Sequence, residues 1–253
     1  MILEDVQDHA VEEENYFVSM TDMMVGLVFI FIIMLMYYAL QFRDVTDQLT
    51  GADKTRTEIL EKLEQTLKEK GVKVTIDRQN GVLHLPDAIL FDSAQSDLKP
   101  GGRVAVGHLA DALADILPCY TDAKDRGARP ARCGTDSGHR IESLYVEGHT
   151  DADPFAGSGA LADNWDLSVK RATNTYRAVT SLRRELENLC SRKTESSCES
   201  VLSVGGYGPQ RLIDFGTDPA SKAKNRRIDL RIIMVKPDEG EAVRRVSERL
   251  ASS

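Results

Sequence analysis

The first sixteen residues contain no lysine or arginine. A cleaved secretion signal opens with a basic stretch, so none is expected here. The apolar run that follows ends in the bulky string Tyr37-Tyr38-Ala39-Leu40-Gln41, not in a small-residue cleavage site. No cysteine stands near the N-terminus to take a lipid. A basic excess is also missing. The net charge is −8, which argues against a nucleic-acid binder, because phosphate contacts need basic patches. The four cysteines make no CxxC spacing, so no metal knuckle is expected. Internal repeats are absent, and no nucleophile–base pair or metal cluster stands out. An enzyme is therefore not expected, nor a cofactor or a metal ion.

One long hydrophobic run is present. Met23 to Leu40 is 18 residues without a charge, roughly 27 Å as a helix and close to the thickness of a bilayer core. The membrane helix is placed at 17–41, and Asp22 falls at the edge of its apolar zone. One reading makes Asp22 an interfacial residue or helix N-cap in the headgroup layer. The other makes it an ion carrier facing a partner helix. Ser19, Asp22 and Gly26 lie at i, i+3 and i+7 and share one helical face. Small residues on such a face permit close approach of a second helix. A carboxylate held there could load and release a proton.

Cys119, Cys133, Cys190 and Cys198 all follow the membrane helix and sit in polar, loop-like stretches. They are read as two disulfides, Cys119–Cys133 and Cys190–Cys198, in an oxidising compartment; the alternative is four reduced thiols. The two topological signals disagree. The tail before the helix is acidic and the first basic residues, Arg43, Lys54 and Arg56, come after it. Read literally, the positive-inside rule puts the C-terminal side in the cytoplasm. The cysteines put it in the periplasm, and this placement is preferred because acidic residues carry little weight in that rule.

Residues 1–16 are read as a short acidic, cytoplasmic tail. Residues 42–70 have a polar helical pattern, with Val45, Leu49, Ala52, Ile59, Leu63 and Leu67 at spacings of three, four or seven, interrupted by Arg56. They form a linker helix that either pairs with its copy in a dimer or packs on its own domain. The folded domain is 71–236 and a charged tail is 237–253. Within the domain, Val72, Val74 and Ile76 alternate, Asn80-Gly81 is a turn signal, and Val82-Leu83-His84-Leu85 returns. Helices are expected over about Arg103–Leu117 and Asp166–Leu189. Strands are expected over Ile141–Glu147, Val201–Val204 and Arg226–Val235. Residues 118–139, rich in Asp, Arg, Gly and Pro, form an insertion loop. The order β-β-α-β-α-β predicts an α+β sandwich with helices on one face of a sheet.

Three strings carry chemistry: Gly148-His149-Thr150-Asp151 at a strand end, Asn164-Trp165-Asp166-Leu167-Ser168 with Lys170-Arg171-Ala172 opening a helix, and Asn225-Arg226-Arg227-Ile228-Asp229-Leu230. An aspartate can accept from an ammonium, and an arginine can pair with a carboxylate through two parallel hydrogen bonds. Together they suit a zwitterionic amino-acid ligand. Taken singly each has a structural reading: Trp165 and Leu167 in the core, Ser168 as a helix cap, Asn225 as a turn former.

Those strings resemble the peptidoglycan-binding domain of the OmpA/MotB superfamily over about residues 72–235. The resemblance implies that Asp151 and Arg171 hold the amine and carboxylate of diaminopimelate in a cell-wall stem peptide. Thr150, Asn164, Leu167 and Arg227 would shape the pocket. The gap from Asp151 to Arg171, with Pro154 and Asn164-Trp165 inside it, resembles stator MotB more than outer-membrane OmpA. The 118–139 insertion departs from that pattern. Asp22 followed by Met23-Met24 resembles the ion-carrying helix of MotB-type stators, with Asp22 as the ion-conducting residue. The acidic tail and the string Phe17 to Leu27 are closer to ZorB, the MotB-related family of Zorya antiphage-defence systems. That resemblance implies an inner-membrane, single-pass, proton-driven stator subunit. A ring of multi-span ZorA/MotA-like subunits would surround a dimer of the chain. A flagellar stator and a passive wall tether stay open beside it.

Overall fold

The structure is a computed structural model that describes residues 2–123, 130–134, 138–155, 157, 161–193 and 197–236. Side chains within 2–19, at 44–45 and 47–49, and at 192–193 are outside that description, as are parts of the 118–139 insertion and the expected tail 237–253. The chain divides into two compact units, Met1–Leu49 with Pro237–Ser253, and Thr50–Lys236.

A single helix, α1 (Ile2–Glu69), takes in the stretches expected as acidic tail, membrane span and linker. Within the first unit, Met20–Arg43 is long and apolar enough to cross a membrane and is unburied throughout. Asp22 lies on its exposed surface. Within the second unit, the last turns of α1 belong to the folded domain: Ile59, Leu60, Leu63 and Leu67 have no exposed surface and join the main core. Burying each contributes about 1.5–3 kcal/mol. Of the two alternatives for the linker, these turns therefore follow packing on the chain's own domain. Arg56, the break in the apolar stripe, donates to the Gln79 carbonyl at 3.3 Å and so reaches the following hairpin turn.

The main sheet has five strands: β1 (Thr75–Asp77), β2 (Val82–Pro86), β4 (Ile141–His149), β7 (Leu202–Gly206) and β8 (Arg227–Met234), in the order β1-β2-β8-β4-β7. All neighbours are antiparallel except β4 and β7, which are parallel. Helices α3 (Pro100–Ile116) and α4 (Asn164–Leu182) supply Val106, Leu109, Leu113, Ala172 and Val179 to a core shared with Leu83, Leu85, Leu144, Val146, Ile228, Leu230 and Ile232. This is a mixed α+β fold; the main sheet has two strands after α4, β7 and β8, where the expected order β-β-α-β-α-β ended on one. Pro100 starts α3 three residues earlier than expected, since proline is preorganised for the first helical turn. Helix α4 stops at Leu182, and a 3-10 segment, Arg184–Asn188, continues the stretch expected as helix.

Two short helices, α2 (Asp87–Leu90) and α5 (Pro219–Asn225), were not apparent in the residue pattern. Neither was a small second sheet of β3 (Asp122–Ala123), β5 (Leu189–Lys193) and β6 (Cys198–Ser200). Both disulfides are present, Cys119–Cys133 and Cys190–Cys198, the second joining β5 to β6. Arg132 ties the described part of the insertion to the end of α3, donating to the carbonyls of Ala114 at 3.0 Å and Asp115 at 3.2 Å.

Candidate functional site

A groove of about 530 Å³ opens where β4 ends, α2 and α4 begin, and the chain enters β8. Asp151 and Thr150 follow β4 directly. Asn164, Leu167 and Arg171 reach the groove from α4, where the spacing i, i+3, i+7 puts them on one face. The start of that helix is fixed by Asp163, whose carboxylate accepts from the backbone N–H groups of Trp165 at 2.8 Å and Asp166 at 3.0 Å. Asp163, not Ser168, is thus the cap. Ser168 is buried and its hydroxyl joins α4 to the β7 exit, donating to the Trp165 carbonyl and accepting from Gly208 N–H. Gly148 allows the helix to lie this close, because a Cβ there would collide with the Ser168 carbonyl.

Five of the expected pocket residues, Asp151, Thr150, Asn164, Leu167 and Arg171, meet in this groove. Arg227 does not. Its side chain lies on the opposite sheet face, where Nε donates to Asp229 at 3.0 Å and Nη2 to the Arg211 carbonyl at 3.1 Å. Its neighbour Arg226 lines the groove instead. Side chains alternate along an extended chain, so consecutive arginines take opposite faces. Trp165 is also corrected: it is 45 % exposed, with its ring against Gly208, whose φ of +50° favours glycine. Leu167 is buried, as a core residue would be, yet it also lines the groove.

The groove carries charge of both signs: Asp87, Asp92, Asp151 and Asp153 against Lys99, Arg171 and Arg226. Arg226 Nη1 donates to Asp151 Oδ2 at 2.5 Å. Arg171 is deeper. Nη1 pairs with Asp87 Oδ1 at 3.0 Å, Nε donates to the Gln95 carbonyl at 2.8 Å, and the guanidinium lies over the Phe91 ring. Burial pushes the Asp87 carboxyl up to about 6; Arg171 and Arg226 oppose that rise and Asp151 adds to it. Asn164 donates to the Asp153 carbonyl at 2.7 Å and shapes the rim. Thr150 Oγ1 is buried without a hydrogen-bond partner among the described residues. Arg226 was within reach of the sequence, inside the Asn-Arg-Arg string. Asp87 carried no signal of its own.

Behind the groove, on the other sheet face, lies a buried ionic network. Glu147 accepts from Arg231 Nε at 2.9 Å and from the Tyr207 hydroxyl at 3.1 Å. Asp229 contacts His84 Nδ1 at 2.6 Å, Arg227 and the His149 ring. Burial alone would raise the Asp229 carboxyl, but His149, His84 and the charge of Arg227 hold it well below the usual range. Glu147, His149 and Asp229 approach one another as metal ligands could. Arg227 and Arg231 already balance the two carboxylates, so the donor set does not call for a cation.

No family model matches the chain. A curated relative, "Probable lipoprotein YiaD" of Escherichia coli strain K12, is 24 % identical over 169 residues, covering 67 % of this chain. The match spans 58 % of that relative's length. Among solved structures, the cell wall anchor of the T6SS from Pseudomonas aeruginosa is similar, with a TM-score of 0.46 and 16 % identity, over 70 % of this chain and 97 % of that one. A MotB-like protein from Desulfovibrio vulgaris also has a TM-score of 0.46, at 18 % identity, over 79 % of this chain and 97 % of that one.

Proposed function

We propose that this chain is a membrane-anchored, MotB-like stator subunit whose folded domain binds peptidoglycan. The observation that carries the wall-binding part is the meeting of Asp151, Thr150, Asn164, Leu167 and Arg171 in one groove lined by both signs of charge. Such a groove fits a ligand with a free ammonium and a free carboxylate close together, as diaminopimelate presents in a stem peptide. Asp151 takes the ammonium. The span Met20–Arg43 anchors the chain in the inner membrane with the N-terminus cytoplasmic and the domain periplasmic, a placement the two disulfides support.

In the finer form of this reading, two copies stand inside a ring of ZorA/MotA-like multi-span subunits. Protons enter from the periplasm, neutralise Asp22 and leave to the cytoplasm. Each charge crossing releases about 2.3 kcal/mol per 100 mV. The wall grip keeps the unit from spinning freely, so the released energy turns the ring. The string around Asp22 favours a role in antiphage defence of the Zorya type over flagellar rotation.

Two experiments test this. Full-length protein in detergent should co-sediment with purified sacculi, and Asp151→Ala should reduce the bound fraction at least tenfold; equal binding removes the wall-binding reading. In cells, Asp22→Asn should abolish function with assembly intact. A variant that stays fully active leaves a passive tether.

A further inference from the structure

A second groove, of about 410 Å³, lies between the first turn of α3 and the second half of α4. Leu98, Ala178 and Leu182 give it apolar lining, and Leu182 is 54 % exposed. Arg103 and Arg177 line it as well, and both are exposed. Neither forms an ion pair among the described residues. Arg103 Nε only reaches the Leu98 carbonyl at 3.4 Å. The acid in this lining, Asp97, accepts from Asn174 Nδ2 at 3.2 Å and pairs with neither arginine. Two cations against one acid leave the groove positive. Lys170, exposed and likewise without an ion pair among the described residues, precedes Arg177 by two helical turns on the same face of α4 and extends the positive strip.

One turn of chain borders both grooves. Asp92, Ser93 and Ala94 line the first, and Asp97 and Leu98 line the second. Helix α4 holds that turn from below at two successive positions: Arg171 Nε donates to the Gln95 carbonyl at 2.8 Å, and Asn174 Nδ2 to the Ser96 carbonyl at 2.7 Å. A polymer seated in the first groove therefore has the second one beside it.

The charge of the groove selects its occupant. The chain carries a net charge of −8, so an anionic polymer is repelled unless a locally positive face meets it. Cell-wall stem peptides carry free carboxylates beside the methyl groups of their alanines. The carboxylates suit two uncommitted guanidinium forks, and the methyl groups suit Leu98, Ala178 and Leu182. Resting on the peptidoglycan-binding reading above, we infer that this groove is a second wall contact, in which Arg103 and Arg177 receive carboxylates of stem peptides next to the one held in the first groove.

The test sediments full-length protein in detergent micelles with purified sacculi at about 0.01 M and about 0.15 M salt, where charges act over about 30 Å and about 8 Å. Wild type should bind more tightly at the lower salt. Arg103→Gln combined with Arg177→Gln should bind about threefold to tenfold more weakly there, the scale of two exposed ion pairs. Most of that gap should close at the higher salt. The same variant should melt within a few degrees of wild type, because neither guanidinium is ion-paired in the free protein. Arg103→Lys combined with Arg177→Lys should keep the salt dependence. A glutamine double variant that binds like wild type at low salt overturns the inference, and so does a loss of equal size at both salts. Light scattering of the unbound protein tests a second copy as the occupant: a glutamine double variant that dissociates gives the groove to self-association and overturns the inference. Wild type that fails to bind sacculi at either salt removes the proposed function and the inference with it. Binding that Asp151→Ala abolishes and the glutamine double variant leaves intact removes the inference alone.

Discussion

Asp87 Oδ1 and Arg171 Nη1 lie 3.0 Å apart beneath the groove, both almost wholly buried. The pair does not fully offset the burial of the carboxylate, whose pKa stands raised at about 6. Between the ordinary carboxylate value and about 6 the folded protein therefore binds more protons than the unfolded chain. By linkage, stability is greatest below that window and falls as pH rises through about 6. The loss is on the order of 2–3 kcal/mol. Asp229 and Glu147 are shifted the other way, so their contribution is lost only at lower pH. Urea midpoints should fall between pH 4.5 and 7 in wild type and stay flat in Asp87→Asn, whose amide mimics the protonated acid. An unchanged slope in Asp87→Asn assigns the pH dependence elsewhere.

The ionic network on the opposite sheet face makes a second prediction. Glu147 is 1 % exposed and Arg231 is its nearest cation, with Arg211 at 3.9 Å and the Tyr207 hydroxyl at 3.1 Å. Arg231→Met should cost about 3 kcal/mol by removing the closest counter-charge from a buried carboxylate. Adding Glu147→Leu should recover most of that loss, because the two positions are coupled. Chemical denaturation of the single and double variants measures both values.

The end of α1 supplies a third. Leu63 is fully buried in the domain core. Leu63→Ala should destabilise the folded domain by about 2–5 kcal/mol. A linker helix that merely paired with a second copy would leave the domain's own unfolding midpoint unchanged.

The main sheet was legible in the sequence because its signals are local. Asn80-Gly81 fixes the hairpin, and Ile228, Leu230 and Ile232 mark one face of β8 by simple alternation. The cysteine pairs fall where two short separations suggested. Less local features did not show. Alternation says that Arg226 and Arg227 face opposite ways, but not which one meets Asp151; that follows only from the pairing of Arg227 with His149 across the sheet. The structural reading of Trp165 put it in the core, yet it packs over Gly208 at the surface, because the core side of α4 is taken by Leu167, Arg171 and Ala172. Asp87 follows a proline at the end of a strand, and nothing in that position foretells an arginine 84 residues on. The small sheet escaped notice because strands of two to five residues leave no period to read.

The central claim is that the groove recognises an ammonium and a carboxylate together on the cell-wall stem peptide. It is tested most directly with two preparations of sacculi, one with diaminopimelate and one with lysine at the same stem position, which lacks the second carboxylate. Full-length protein should co-sediment with the first and bind the second at least tenfold more weakly. Equal binding to both, or binding to neither, contradicts the account.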